Sequence, residues 1–523
     1  MADYIYTMEL RLTPNQMKGV NLIRDISRAA GMNVYLTGGA VRDIIASRAI
    51  RDLDFTVQGN PLKLQKELER AGARVACTSE DTHTLHLVLP GGVRAEISMA
   101  RTEKHEKIGR APVVTAATIY EDLRRRDFTM NAMALSLNEG SRGLLLDPAN
   151  GVADIEAKLV RVLHNYAFLE DPSRLLRAIR LTTRLEWQME ERTQARYAAA
   201  VESAYIDHIS RTAAGHETGA LAYEDDPLKV VRALEKEGWL KVLHPHWTLA
   251  KVDSDGLHDL MKTRQQMGDL GYAPDASAAV MHFLTRKMPE KDLADVRRSI
   301  PRKDLVEAWR DLEDRSKEFS RRLTGKEAAT PSKTWLLLSQ APQELVLFLA
   351  VTARQQAVEQ KIKNFLTKWR QVQQKLPLPE MTELLITPQL PVYPKLANDV
   401  FLMLLDGKLR SHTEIMKYLK PFAPPPPPPP PPPRRGRAAK AAAEAAAAAT
   451  AAESAKKKSK GKAVAVAPAP PVAAKKVDTK PAKAAAATPP KPPQKLATKP
   501  PLKPARKPAA KKVLAKKSKS KKR

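Results

Sequence analysis

The chain has 523 residues, 43% of them hydrophobic, and a formal net charge of +30 at pH 7. Such a length leaves room for three or four domain-sized units. The single cysteine, Cys77, excludes a disulfide framework and a cysteine-built zinc centre, and it fits a reducing cytosol.

The opening segment MADYIYTMEL lacks the basic-then-apolar order of a signal peptide. No run reaches the roughly 18 uninterrupted apolar residues that a membrane helix needs, so the expectation is a cytoplasmic protein with no membrane partner. Residues 1–30 have the spacing of amphipathic helices. NVYLT, from Asn33 to Thr37, predicts a strand that breaks at Gly38-Gly39, and AVRDIIASR then predicts a helix. DLDFTVQG predicts a second strand, and PLKLQKELERAG a helix opened by Pro61 and stopped by Gly72. TLHLVLP and VRAEISMA add further strands, giving an α/β pattern over the first ~150 residues. Beyond Asp147 the strand signal fades, and three- and four-residue apolar spacing predicts helices to about residue 422. WLLL and LVLFLAV read as packed helix cores. Ten prolines, Pro424 to Pro433, then favour a stiff polyproline spacer. From Ala423 to the end there are 27 lysines and arginines against three acidic residues. That composition predicts a disordered extension drawn to nucleic acid without sequence preference.

The chemistry concentrates in YLTGGAVRDIIASRAIRDLDFTVQG. Asp52 and Asp54 are two apart on a predicted strand, so both carboxylates project to one face. Two such groups repel unless a cation lies between them, and hard oxygen donors suit Mg²⁺. Gly38 and Gly39 allow backbone N–H groups and a helix start to approach a triphosphate closely. A D-x-D or a glycine pair alone is commonplace. Further on, Asp171 and Arg174 are three apart at a predicted helix start, with Arg177 next along the same face.

The order GG-x-V-R-D followed by D-x-D resembles class II tRNA nucleotidyltransferases (CCA-adding enzymes) and bacterial poly(A) polymerases. Three more segments follow in that family's order: RRRDFTMNAMA from Arg124 to Ala134, Asp147 to Arg161, and Glu170-Asp171-Pro172-Ser173-Arg174. The resemblance is close over about residues 30–185 and loose beyond. It implies an α+β/α multi-domain protein: an α/β nucleotidyltransferase head with a mixed sheet (1–147), then an all-helical neck (148–225), body (226–330) and tail (331–422), and a disordered Pro/Ala/Lys-rich C-terminus (423–523). It also implies transfer of nucleotides from CTP and ATP to the 3′ end of tRNA or another RNA, with Mg²⁺ on Asp52 and Asp54. Gly38, Gly39 and Arg42 would position the triphosphate. Arg125, Arg126, Asp127 and Asn131 would line the ribose and phosphates. Asp171 and Arg174 would read the base: a carboxylate accepts from the exocyclic amino group shared by cytosine and adenine, and a guanidinium donates to the adjacent ring nitrogen. Glu96 is a candidate third acid, and Asp43 a structural residue holding the glycine turn. Arg101 and Glu103 open a polar loop similar to the mobile loop of complete CCA-adding enzymes. Two readings stand beside this one: a poly(A) polymerase, and an inactive nucleic-acid-binding protein that works through its basic extension. His258-Asp259 invites a metal-dependent phosphohydrolase reading, but His244, His246 and Asp253 form no obvious ligand set with it. Between Leu384 and Phe422 the chain also departs from the family's glycine-bearing turn.

Overall fold

The computed structural model describes residues 4–424 and 443–446; the proline run and the basic extension lie outside them except for Ala423, Pro424 and that short stretch. Helix α1 (Tyr4–Arg11) leads into α2 (Pro14–Ala29). Thr13 accepts from the Gln16 backbone N–H and the Gln16 side chain accepts from that of Thr13. Pro14 sits in the first turn, where its missing N–H costs nothing.

The head sheet is built from β1 (Asn33–Thr37), β2 (Leu53–Gln58), β3 (Arg74–Ser79), β4 (Thr84–Leu89) and β5 (Val93–Met99). A separate hairpin, β6 (Arg101–Lys104) and β7 (Val113–Ala116), follows before the sheet resumes with β8 (Ala134–Ser136) and β9 (Leu145–Leu146). The order is β3-β4-β5-β2-β1-β8-β9, antiparallel at every junction except β2–β5. The sheet is therefore mixed. Alternation decides its two faces. Leu53, Phe55 and Val57 point into a core with Val34, Leu36, Val20 and Ile23, where each fully buried side chain stabilises the fold by roughly 1.5–3 kcal/mol. Asp54, Thr56 and Thr37 take the opposite face, where the Thr37 and Thr56 hydroxyls lie 3.1 Å apart. The glycine pair opens α3 (Gly38–Ile45), whose Val41 and Ile44 return to the core. Pro61 begins a single 3₁₀ turn before α4 (Gln65–Arg70), so that predicted helix starts tighter than its apolar spacing implied.

On the polar side, α5 (Ile119–Arg124) is capped reciprocally by Thr118 and Glu121. It packs Ile119 and Leu123 on Tyr35, Ala134 and Leu146. Two short helices, α6 (Gly151–Glu156) and α7 (Ala167–Glu170), and the longer α8 (Ser173–Leu185) follow. The segment 148–225 is not all-helical. β10 (Leu159–Val160) and β11 (Gln188–Met189) pair in parallel across α8; two-residue strands carry no readable alternation. From Glu191 to Leu419 the described residues contain only helices and connections. Pro331–Gln340 and Gln343–Thr352, which hold the WLLL and LVLFLAV runs, are bent 119° from one another. Trp335, Leu345, Leu347 and Phe348 are buried in the main core. No single helix among the described residues is long and apolar enough to cross a membrane. Met381, Ile386, Leu396, Val400, Leu409 and Leu419 make a second small core in the stretch where the family's glycine-bearing turn is missing.

Candidate active site

A cavity of about 490 Å³ opens between the polar face of the sheet and α8. On its sheet wall, Asp52 just precedes β2 and Asp54 lies within it. The parallel register sets Asp54 beside Glu96 of β5, so three carboxylates crowd one face. Burial first, then Glu96 and Asp52, push the Asp54 carboxyl up to about 7, against the pull of Arg126 and Arg42. Crowded hard oxygen donors of this kind are what a divalent cation neutralises, and the donor set fits one. Gly38 adopts φ +63°, and a Cβ there would stand 3.2 Å from both Asp54 Oδ2 and Arg126 Nη1. A Cβ on Gly39 would stand 3.4 Å from Arg42 Nη2. The two glycines thus let the start of α3 come close to the acids.

Arg42 is buried at 2% exposure. Its Nε and Nη2 donate to the Asp43 carboxylate at 2.8 and 2.9 Å, and Nη1 donates to Asn131 Oδ1 at 2.8 Å. Asp43 therefore grips Arg42 and not the glycine turn, because a bidentate carboxylate matches the guanidinium fork of its neighbour. Arg125 and Arg126 both anchor on Asp122, which has no exposed surface. Arg125 also reaches Glu103 at 3.0 Å, which Arg101 holds at 2.8 Å. Asp127 accepts from the Phe128 N–H, Asn131 Nδ2 and Arg177 Nη1. Although burial works against its charge, Arg177 and Arg174 hold its carboxyl below the usual range.

The helical wall carries Arg174, Arg177, Arg180 and Arg184 along one side of α8, all facing the cavity. Arg177 and Arg180 converge on Glu217, 2.9 and 2.8 Å away, and Arg180 also reaches Glu224. Burial alone would raise the Glu217 carboxyl, yet Arg180 and Arg177 hold it below the usual range. Arg184 is the least compensated of these four arginines. Its nearest carboxylate oxygen, on Glu224, is 3.8 Å away. Burial, then Arg42 and Arg51, lower its guanidinium to about 9. At the mouth of this wall Asp171 accepts from the Ser173 N–H and hydroxyl, so the helix starts one residue later than Pro172. Arg174 is buried, with Nη1 and Nη2 donating to the carbonyls of Ala167 and Arg125. Its Nε lies 3.9 Å from Asp171 Oδ2, an ion pair without a hydrogen bond. Both side chains keep bonding capacity for a ligand.

The thirteen residues that the sequence offers for metal and nucleotide all line this one cavity: Gly38, Gly39, Arg42, Asp52, Asp54, Glu96, Arg125, Arg126, Asp127, Asn131, Asp171, Arg174 and Arg177. Sequence reasoning missed Arg51, Arg180 and Arg184 on the lining, and the carboxylates Asp122, Glu217 and Glu224 that hold the arginines. The arginine spacing along SRLLRAIRLTTRL was a usable signal for Arg180 and Arg184; Glu217 and Glu224 had none. His244, His246 and Asp292 offer ligand atoms within 4.8 Å of one another. The carboxylate that His246 meets is thus Asp292 and not Asp253, which caps the helix at Ser254. None of the three lines the cavity.

Residues 34–161 match the poly A polymerase head domain. The chain is 26% identical over 409 residues to an A-adding tRNA nucleotidyltransferase of Geobacter sulfurreducens, covering 76% of this chain and 46% of that protein. It is 39% identical over 166 residues to a CC-adding tRNA nucleotidyltransferase of Deinococcus radiodurans, covering 31% and 44%. Among solved structures, the Thermotoga maritima CCA-adding enzyme complexed with tRNA_CCA is 26% identical, over 80% of this chain and 99% of that one, with a TM-score of 0.39. The chain spans less than half the length of the two curated relatives. Residues 34–161 thus resemble a poly A polymerase head domain, and the chain is similar to tRNA nucleotidyltransferases over part of their length.

Proposed function

We propose that this chain adds the nucleotides of the CCA end to tRNA from CTP and ATP. One observation carries the reading: three carboxylates on a sheet face an arginine-lined helix across a cavity of about 490 Å³, with an Asp–Arg pair at its mouth. Asp52, Asp54 and Glu96 hold Mg²⁺. Bound there, Mg²⁺ supplies activation of the RNA 3′-hydroxyl and neutralises charge on departing pyrophosphate. The start of α3 at Gly38-Gly39 receives the triphosphate, and Arg42, Arg51 and Arg184 surround its charge. Arg184 and Arg51 each have their nearest carboxylate 3.8 Å away, so a phosphate there completes the wall. The 3′-hydroxyl gives its proton to solvent, its oxygen bonds to the α-phosphorus, and the bond from that phosphorus to the bridging oxygen breaks to release pyrophosphate.

Asp127 keeps a lone pair for a ribose hydroxyl, since its three donors leave part of its capacity open. Asp171 accepts from the base's exocyclic amino group, and a free N–H of Arg174 donates to the ring nitrogen beside it. Guanine and uracil present the opposite pattern and are refused. The carbonyls of Ala167 and Arg125 fix the Arg174 plane, which supplies the preorganisation such a template requires.

A second reading, addition of A alone, is favoured by the A-adding relative matched over 76% of this chain. Purified protein with Mg²⁺, CTP and ATP is offered tRNA ending before CCA, tRNA ending in CC, and an unrelated RNA. Two C additions followed by one A on the first substrate are expected. Extension of only the CC-ended substrate establishes A addition, long A tracts on unrelated RNA establish a poly(A) polymerase, and no incorporation at all sinks the proposal.

A further inference from the structure

Arg94 stands against the acidic site without having been part of any motif. It lies on β5 two residues before Glu96, so both side chains leave the strand on one face. Its Nε donates to Asp52 Oδ1 at 2.6 Å. The second Asp52 oxygen has no hydrogen bond among the described residues. The guanidinium also lies 4.4 Å from the Tyr223 ring centroid, and Nη1 lies 3.9 Å from Asp275. Arg302, chelated by Asp304, approaches the same ring at 5.4 Å. Asp52, Asp54, Glu96, Arg94, Tyr223 and Arg302 together line a small void of about 80 Å³ beside the carboxylates. A residue of the head sheet thus holds a proposed metal ligand while residues of the helical part hold that residue in turn.

We infer that Arg94 is a positioning residue that tempers the divalent-cation affinity of the acidic site. It does so by neutralising and orienting Asp52 from a seat provided by Tyr223 and Asp275. The inference rests on the reading of Asp52, Asp54 and Glu96 as metal ligands. Its physical basis is competition. A guanidinium bonded to one carboxylate oxygen leaves the other free for a cation, but its charge opposes a dication a few ångströms away, and a partly screened site keeps much of that repulsion. Tyr223 and Asp275 keep the guanidinium from swinging out to water. The seat therefore ties metal affinity to the packing of the helical part on the head.

The test is Mn²⁺ binding to the full chain without nucleotide, followed by the spin-resonance signal of free Mn²⁺, with melting temperature as a check on folding. Asp52→Asn should bind several-fold more weakly than wild type. Arg94→Gln should bind on the order of tenfold more tightly, and the Mg²⁺ concentration that half-saturates incorporation should fall with it while KM for CTP stays put. Arg94→Lys, which keeps the charge, should remain near wild type. Tyr223→Leu, which removes the seat and not the charge, should shift in the direction of Arg94→Gln by less. Unchanged or weaker Mn²⁺ binding in Arg94→Gln and Tyr223→Leu overturns the role of Arg94 while leaving the metal site standing. Equal Mn²⁺ binding by wild type and Asp52→Asn overturns the metal site, and the inference with it.

Discussion

The two walls of the cavity handle charge in opposite ways. On the helical wall the two middle arginines have their carboxylates: Arg177 and Arg180 share Glu217, and Arg180 also reaches Glu224. Buried acids there titrate below their usual range. On the sheet wall three carboxylates crowd together and Asp54 is pushed up to about 7. A wall whose charges are satisfied is scaffolding, held rigid by ion pairs that would be costly to break singly. A wall whose charges are in conflict stores electrostatic stress that a ligand can relieve. Function lies where the pairing is incomplete: at Asp54 and the second oxygen of Asp52 on one side, and at Arg174 and Arg184 on the other.

The largest expected effect breaks the stressed wall. Asp54→Asn removes a metal ligand and should cut incorporation by roughly a thousandfold or more, several kcal/mol of transition-state stabilisation, while RNA affinity measured by filter binding stays within about twofold. Full activity in that variant would mean the sheet wall is not where the chemistry happens.

Next comes the satisfied wall. Glu217→Gln leaves Arg177 and Arg180 facing a neutral group in a buried setting and should destabilise the fold by about 3–5 kcal/mol, read by denaturant unfolding at pH 7. The pH dependence sharpens this. Because Glu217, Asp127 and Asp122 titrate below the usual carboxylate range in the folded chain, the stability they supply is complete above that range. It is lost as pH falls through their depressed values. The acid limb of stability below about pH 4 should be shallower in Glu217→Gln than in wild type. An identical limb would show that these pairs do not govern acid unfolding.

A smaller effect separates binding from scaffolding. Arg184→Met removes a buried, poorly compensated cation, so the melting temperature should hold or rise while KM for the nucleoside triphosphate rises about tenfold, the worth of one charge-assisted contact. A fall in stability with KM unchanged would return Arg184 to the scaffold. Smallest of all, removing residues 423–523 should flatten the salt dependence of RNA affinity and leave the choice between CTP and ATP untouched. An unchanged salt slope would remove the basic extension from RNA binding.

What could be read in the sequence, and what could not, follows the same division. Strand alternation and a strand-to-helix break place Asp52, Asp54, Gly38 and Gly39 on one wall, and alternation places Glu96 beside them, but it was the order of several motifs and not this geometry that marked them out. Asp171 and Arg174 were legible through helix spacing. The partners were not. Glu217 lies 40 residues beyond Arg177, and Arg94 meets Tyr223 and Asp275 only after the helical part folds back on the head. No local pattern announces such long-range pairs. Asp43 was misread for a related reason: its role depends on where the Arg42 side chain turns, which the chain order leaves open. The parallel β10–β11 pair escaped because two residues are too few to show a period.

If the stressed sheet wall is a divalent-cation site beneath a nucleoside triphosphate, an ion must be found there. A crystal soaked with CTP and manganese tests it directly through anomalous scattering at the manganese edge. A peak is expected beside Asp52, Asp54 and Glu96, with phosphates at the start of α3 and the cytosine edge on Asp171 and Arg174. A peak confined to His244, His246 and Asp292, with Asp52 still bonded to Arg94 and no ion beside it, would contradict it.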